Sequence, residues 1–197
     1  MSTSYERIIN IDTLDDVLSY IKGVDKPDNI AVWLDWDENI INSDSNTIIE
    51  PRITKELIRY MQDTNLFFSV ITGRFWDTAC NDKLRNLEDM QWNILYNMYP
   101  VMRQLGIDTE RFNNDYYKNT VYKVFDGREC VGVLYMGIFF TGQKGKTIKN
   151  FLRQMNMNKQ VNIFVDDYEP YLHETTTSFP SIVAFRRRYP YNYPHND

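Results

Sequence analysis

The chain has 197 residues, of which 43% are hydrophobic, 15% aromatic and 25% charged. This length suits a single domain that buries roughly 70% of the surface of its unfolded chain, and the aromatic content argues against extensive disorder. The formal net charge of −5 at pH 7 disfavours a general nucleic-acid-binding surface, but it does not exclude one local basic pocket.

Targeting and cysteine signals favour an ordinary intracellular protein. The N-terminus carries Glu6 and Arg7 and lacks the apolar core of a signal peptide. No apolar run approaches the roughly 20 residues of a membrane span, so we expect a cytoplasmic protein that does not contact the membrane. Cys80 and Cys130 form neither a disulfide framework nor a zinc signature. We expect them to be ordinary thiols in a reducing compartment.

Apolar strands and amphipathic helices alternate along the chain. The predicted elements are a helix beginning near Asp12 and ending before Gly23, a strand over Ile30–Leu34, a helix over Pro51–Gln62, a strand over Leu66–Ile71, mostly helical structure over Phe75–Leu105, a hairpin of Val121–Phe125 and Cys130–Phe140, a helix over Thr147–Met155, a strand over Val161–Val165, a short helix over Tyr171–Thr175 and a strand over Ile182–Phe185. This alternation is typical of a three-layer, Rossmann-like α/β sandwich with a mostly parallel sheet.

The domain organisation follows from these elements. Residues 1–197 are expected to form one domain, with a flexible tail at about 189–197. Only a turn, a helix and a strand fit between the first two groups of polar strand-end residues, which leaves no space there for a large cap. The longer stretch within 76–125 has room for a small lid or insertion.

The most informative local feature is a pair of carboxylates directly after a buried strand. Asp35 and Asp37 follow the apolar run Ala31–Leu34 at positions i and i+2. If the strand geometry persists through Asp37, both side chains face the same pocket. Two close acids repel each other unless a cation or a shared proton offsets them. The pair therefore indicates a metal site, acid/base chemistry, or both.

Three further strands also end in polar residues. Thr72 ends one strand, the loop Thr141–Lys146 follows another, and Asp166 and Asp167 end a third. The carboxyl ends of parallel strands lie at one edge of a sheet, where ligands of open α/β proteins bind. We therefore expect these residues to meet the first carboxylate pair in a single site.

In order and spacing, these groups resemble the four motifs of the haloacid dehalogenase-like (HAD) superfamily of phosphohydrolases. The matching segments are Leu34-Asp35-Trp36-Asp37-Glu38-Asn39-Ile40, Val70-Ile71-Thr72-Gly73-Arg74, Lys144-Gly145-Lys146 and Ile163-Phe164-Val165-Asp166-Asp167. The resemblance covers roughly residues 12 to 190. The stretch Gly137–Gly142 is similar to a HAD subgroup of unknown function, which implies a fold and a chemistry but no substrate.

The resemblance implies a role for each catalytic residue. Asp35 would be the nucleophile that forms an aspartyl-phosphate, and Asp37 would be the general acid and base. Thr72 would hydrogen-bond a phosphoryl oxygen, and Lys144 would offset negative charge. The implied partner is a phosphorylated substrate, either a small molecule, a phosphoprotein or a nucleic-acid end.

The same resemblance implies Mg²⁺ as the cofactor. Asp35 and Asp166 would be direct ligands, Asp167 a direct or second-sphere ligand, and the backbone carbonyl of Asp37 a further ligand. Mg²⁺ suits this set because it prefers carboxylate oxygens, water and substrate phosphate.

Some assignments remain open at the level of sequence. Asn39 stands where the family usually has Thr, and it can still hydrogen-bond the loop backbone. Lys146 competes with Lys144 as the motif lysine, and Lys144-Gly145 matches the subgroup better. Arg186–Arg188 fits either a phosphate-binding group or a solvated strand end. The alternative to a phosphatase is a catalytically degenerate HAD-fold protein with a binding or structural role.

Overall fold

The computed structural model describes residues 8–75, 80, 84–110 and 120–188. The predicted tail at about 189–197 lies outside the described residues, as do positions 76–79, 81–83 and 111–119 of the predicted lid region. The strands are β1 (Ile8–Ile11), β2 (Ile30–Asp35), β3 (Ile41–Asn42), β4 (Thr47–Ile48), β5 (Phe67–Thr72), β6 (Tyr122–Asp126), β7 (Glu129–Tyr135), β8 (Ile138–Phe140), β9 (Val161–Asp166) and β10 (Ile182–Arg187).

Six α-helices are described between these strands. They are α1 (Leu14–Lys22), α2 (Pro51–Asp63), α3 (Leu84–Asn93), α4 (Tyr99–Gln104), α5 (Lys144–Gln154) and α6 (Glu169–Ser178). A 3₁₀ turn at Pro27–Asn29 precedes β2, and a π-helical stretch at Ile94–Met98 joins α3 to α4. Between β2 and β5 the chain forms only the β3–β4 hairpin and α2.

Eight of the strands form one sheet in the order β1-β10-β9-β2-β5-β8-β7-β6. Every neighbouring pair from β1 to β8 is parallel, and β7 and β6 continue the sheet as antiparallel strands. The carboxyl ends of β2, β5, β8 and β9 therefore lie together, because these four strands are adjacent and run in the same direction. This arrangement confirms the predicted α/β class and the mostly parallel sheet.

Helices cover both faces of the sheet and give the predicted three layers. On β2, Val32 and Leu34 belong to a core that also contains residues of α1, α2 and the segment 90–107. The alternate residues Ala31 and Trp33 belong to a second core with residues of α5 and α6. A strand buried on both faces reads as a continuous apolar run, which is why Ile30–Leu34 was recognisable in the sequence.

Two strand predictions need correction. No strand was predicted at Ile8–Ile11, where β1 pairs in parallel with β10 at the edge of the sheet. Its sequence signal is weak because Ile9 and Asn10 are exposed. The second hairpin arm was predicted to run into a buried strand at Gly137–Phe140. That strand is present as β8, but a turn at Met136 and Gly137, both with positive φ, separates it from β7.

The prediction that both cysteines are ordinary thiols is also wrong. Cys80 and Cys130 form a disulfide with a Cα–Cα separation of 5.9 Å. The sequence did not reveal this pairing because 50 residues separate the two positions, and only the fold brings β7 next to the chain that follows β5. The disulfide connects these two parts of the molecule covalently.

Within the described residues, no helix is both long and apolar enough to cross a membrane.

Candidate active site at the carboxyl edge of the sheet

Two adjacent strands supply the central carboxylates. Asp35 is the last residue of β2 and Asp166 is the last residue of β9. Each follows, two positions later, a residue of the second core, Trp33 on β2 and Phe164 on β9. Side chains two apart on a strand share a face, so both carboxylates lie on the α5–α6 side of the sheet. Both are buried.

Lys144 lies between these carboxylates. Its Nζ donates to Asp35 Oδ1 at 2.5 Å and to Asp166 Oδ2 at 2.7 Å, and its side chain is fully buried. The Tyr171 ring covers the ammonium, with Nζ 4.3 Å from the ring centroid. A buried charge of this kind is tolerated only when it is paired and hydrogen-bonded. Lys144 therefore sets the spacing of the two carboxylates.

Asn39 contacts the carboxylates of Asp35 and Asp167. Its Nδ2 lies 3.3 Å from Asp35 Oδ2, 3.1 Å from the carbonyl oxygen of Asp37 and 3.0 Å from Asp167 Oδ1. The expectation that Asn39 can bond the loop backbone is confirmed by the second of these contacts. The amide also links Asp167 to Asp35 across the site.

Asp37 lies in the loop after β2 rather than on the strand itself. The strand ends at Asp35 and the loop turns back, with Glu38 at φ 55° and the Ile41 N–H bonded to the Trp36 carbonyl. The strand geometry therefore does not persist through Asp37, which was the condition for a shared pocket with Asp35. The Asp37 carboxylate accepts hydrogen bonds from Nε (2.9 Å) and Nη2 of Arg74, a residue to which the sequence assigned no role.

The chain after β5 forms a tight turn at the same edge. Thr72 is fully buried, and its Oγ1 accepts the N–H of Arg74 at 3.2 Å, which leaves the hydroxyl proton free to be donated. A Cβ at Gly73 would lie 2.6 Å from the Tyr171 hydroxyl oxygen. Only glycine lets Tyr171 approach this closely, so Gly73 has a packing role next to the site.

Helix α5 begins at Lys144, three residues earlier than predicted. Its N-cap Gln143 makes no capping bond with its side chain. Instead, Glu174 of α6 accepts the N–H groups of Gly145 at 2.7 Å and of Lys146 at 3.3 Å. Because this capping carboxylate comes from a distant helix, the sequence around Lys144 could not reveal where the helix starts. Of the two candidate lysines, Lys144 contacts the carboxylates, and Lys146 is partly exposed.

Arg187 supports the loop that carries Asn39. It is buried, and it donates to the carbonyl oxygen of Asn39 at 2.5 Å and to Glu50 Oε2 at 2.6 Å. Neither sequence interpretation of the Arg186–Arg188 run anticipated this structural role. Arg186 forms an ion pair with Glu169 at 3.0 Å.

Burial dominates the electrostatics of the site. It raises the pKa of Asp35 and of Asp166 although Lys144 opposes this, and it raises the pKa of Asp167 to about 6. Burial also works against the charge on Lys144, but Asp35 and Asp166 outweigh it and raise the pKa of the ammonium. Burial therefore disfavours the charged form of these carboxylates even with Lys144 in place.

The donor set fits a small divalent cation. Asp35, Asp166 and Asp167 each offer an oxygen, and these oxygens lie within 4.8 Å of one another. Among the described residues, the buried Asn39 Oδ1 also has no hydrogen-bond partner. An all-oxygen set with excess negative charge matches the preference of Mg²⁺ and similar hard cations.

A scan of protein-family models, a search of curated proteins and a search of solved structures each found no match. The assignment of function therefore depends on the residues and geometry of this chain.

Proposed function

We propose that the protein is a Mg²⁺-dependent phosphatase that acts through an aspartyl-phosphate on Asp35. The observation that carries the proposal is the buried Lys144 ammonium, bonded to both Asp35 and Asp166, with Asp167 close by. Such a fixed charge next to a carboxylate suits the stabilisation of negative charge on a transferring phosphoryl group. The residues of this arrangement come from the ends of β2 and β9 and from the start of α5, which follows β8.

The chemistry would run in two steps. In the first, an oxygen of Asp35 attacks phosphorus, the bond from phosphorus to the ester oxygen breaks, and Asp37 gives a proton to the leaving oxygen. In the second, water attacks phosphorus, passes a proton to Asp37 and releases inorganic phosphate with a free Asp35. Thr72 would donate its hydroxyl proton to a phosphoryl oxygen.

Mg²⁺ would be held by Asp35, Asp166, Asp167 and the carbonyl oxygen of Asp37, where it would supply positive charge against the repulsion between carboxylates and phosphate. Lys144 would keep Asp35 in place through the hydrogen bond to Oδ1. Tyr171, over the ammonium, would limit the access of water to it.

One observation favours a second candidate, a degenerate HAD-fold protein with a binding role. Both oxygens of Asp37 are engaged by Arg74, so Asp37 has to leave this pair before it can serve as an acid. A protein in which the pair never opens would bind a phosphorylated ligand without hydrolysing it.

Hydrolysis of p-nitrophenyl phosphate with and without Mg²⁺ tests the proposal. We expect Mg²⁺-dependent turnover that Asp35→Asn lowers by roughly a thousandfold or more, because the nucleophile is lost. Asp25→Asn, a change at an exposed site, is the matched control and should leave turnover unchanged. Turnover that survives Asp35→Asn would rule out the nucleophile. No turnover on a broad phosphate panel, together with no Mg²⁺ binding, would favour the second candidate.

A further inference from the structure

The ion pair between Arg74 and Asp37 lies at the solvent-facing rim of the site. The side chain of Arg74 is 27% exposed and that of Asp37 is 30% exposed. The pair adjoins the central carboxylates, because Asn39 Nδ2 contacts both the Asp37 carbonyl oxygen and Asp35 Oδ2. In the sheet, Asp35 lies opposite Ile71, three residues before Arg74.

Arg74 differs from the other cations described around the site. Lys144 is enclosed and already donates to two carboxylates. The Arg187 side chain is 2% exposed and supports the Asn39 loop. Arg74 therefore presents a guanidinium that a molecule arriving from solvent can reach.

Arg74 lies in the tight turn after β5. Its N–H is held by Thr72 Oγ1 at 3.2 Å, and Phe75 follows with φ 54°. A non-glycine residue in this left-handed region is uncommon. The backbone of Arg74 is therefore held within the turn that follows β5.

We propose that Arg74 is a phosphate-binding residue and that Asp37 occupies its guanidinium until a substrate arrives. The inference rests on the proposed function for the identity of the substrate, a phosphate monoester. An incoming phosphoryl group presents two oxygens to the same Nε and Nη2 donors that now bind Asp37, and it takes the place of that carboxylate. The exchange also releases Asp37 next to the leaving oxygen.

The chemistry of the two ligands supports the exchange. A guanidinium donates two parallel hydrogen bonds, and this fork fits carboxylate and phosphate oxygens alike. Lys144 pairs with Asp35 and Asp166, and Arg74 pairs with Asp37, so two cations accompany the four carboxylates of Asp35, Asp37, Asp166 and Asp167. A phosphate dianion needs an accessible cation to approach such a group, and Arg74 provides one.

Binding of inorganic phosphate in the presence of Mg²⁺, measured by titration calorimetry, tests the inference without turnover. We expect Arg74→Gln to weaken binding by about 10- to 100-fold, because a bidentate charge-assisted contact is lost. Arg74→Lys keeps the charge but not the fork, and should lie between Arg74→Gln and the wild type. It also preserves the test if Arg74→Gln fails to fold. Arg59→Gln, which breaks the exposed Arg59–Asp63 pair, is the control and should bind as the wild type does.

A double-mutant cycle separates competition from simple repulsion. Asp37→Asn removes the competitor for Arg74, so phosphate should bind more tightly in that variant. If Asp37→Asn only relieves repulsion, it should tighten phosphate binding equally in the wild-type and Arg74→Gln backgrounds. If Asp37 competes for Arg74, the substitution should tighten phosphate binding more when Arg74 is present. Equal tightening in the wild-type and Arg74→Gln backgrounds would overturn the inference. So would wild-type affinity in Arg74→Gln itself.

Kinetics distinguish this inference from the proposed function. With p-nitrophenyl phosphate, Arg74→Gln should raise KM about tenfold and change kcat far less, since the contact is made in ground and transition states alike. A fall in kcat with KM unchanged would assign Arg74 to the positioning of Asp37 and overturn the phosphate role. If the wild type turns over and phosphate binding ignores Arg74, the inference fails alone. If nothing turns over and binding depends on Arg74, only the phosphatase proposal fails.

Discussion

Asn39 and Lys144 show how two single side chains organise a cluster of like charges. Lys144 bonds one oxygen of Asp35, and Asn39 contacts the other. Asn39 also reaches Asp167, which lies 128 residues further along the chain. Burial is the main reason that the pKa values of these carboxylates are raised, and the repulsion between neighbouring carboxylates adds to it.

The raised pKa of Asp167 predicts how stability depends on pH. Because burial raises this pKa to about 6, the folded metal-free protein binds more protons than the unfolded chain between about pH 4 and pH 6. The resulting loss of folding stability is absent below this pH range and complete above it. We expect Asp167→Asn to stabilise the metal-free protein by about 1–3 kcal/mol at pH 7.5 and to have little effect near pH 4.

Urea unfolding at both pH values, in the presence of EDTA, measures this difference. The control is Asp25→Asn, whose exposed side chain should change stability by less than about 0.5 kcal/mol at either pH. Added Mg²⁺ should stabilise the wild type more than Asp167→Asn, because the variant lacks one proposed ligand. A variant that is less stable than the wild type at pH 7.5 without metal would contradict the electrostatic explanation.

At the scale of elements, the contact between α5 and α6 positions Lys144. Glu174 of α6 caps the first turn of α5, and Gly145 brings the two helices close together. A Cβ at Gly145 would lie 2.5 Å from Thr175 Cα and 2.9 Å from its carbonyl oxygen. The approach of the helices depends on glycine at this position.

Gly145→Ala tests this packing. Alanine favours a helix over glycine by about 1 kcal/mol, but the clash with the α6 backbone should outweigh that gain. We expect a net loss of about 1–3 kcal/mol in the free energy of unfolding, measured by urea denaturation. Lys149→Ala, at an exposed position of α5, should change it by less than about 0.5 kcal/mol. A Gly145→Ala variant as stable as the wild type would show that α6 moves without cost.

At the scale of the whole molecule, the disulfide connects the segment after β5 to strand β7 across 50 residues. A crosslink that closes a long loop stabilises the fold mainly by restricting the unfolded chain. We expect the Cys80→Ser/Cys130→Ser double variant to lose about 2–4 kcal/mol of stability.

Thiol titration and urea unfolding check this prediction. The denatured wild type, prepared without reductant, should show no reactive thiols, and two after reduction. Dithiothreitol should lower the stability of the wild type and leave that of the double variant unchanged. Two reactive thiols before reduction would contradict the crosslink.

Much of the fold could be predicted because its signals are local. The buried strands β2, β5 and β9 read as apolar runs that end in polar residues, and this pattern predicts where a parallel sheet presents its ligands. Edge strand β1 and the start of α5 lacked such signals. The first depends on pairing with β10, and the second on a cap from Glu174.

Part of the candidate site could likewise be predicted from the sequence, and part of it could not. By itself, the sequence determined that Asp35, Thr72, Lys144 and Asp166 come to one edge, because the direction of each strand follows from the alternation of elements. Only the tertiary structure decided that Asp37 pairs with Arg74, that Cys80 joins Cys130, and that Arg187 supports the Asn39 loop. These contacts join residues far apart in the chain, and a side chain's partner across such a distance depends on packing rather than on its sequence neighbours.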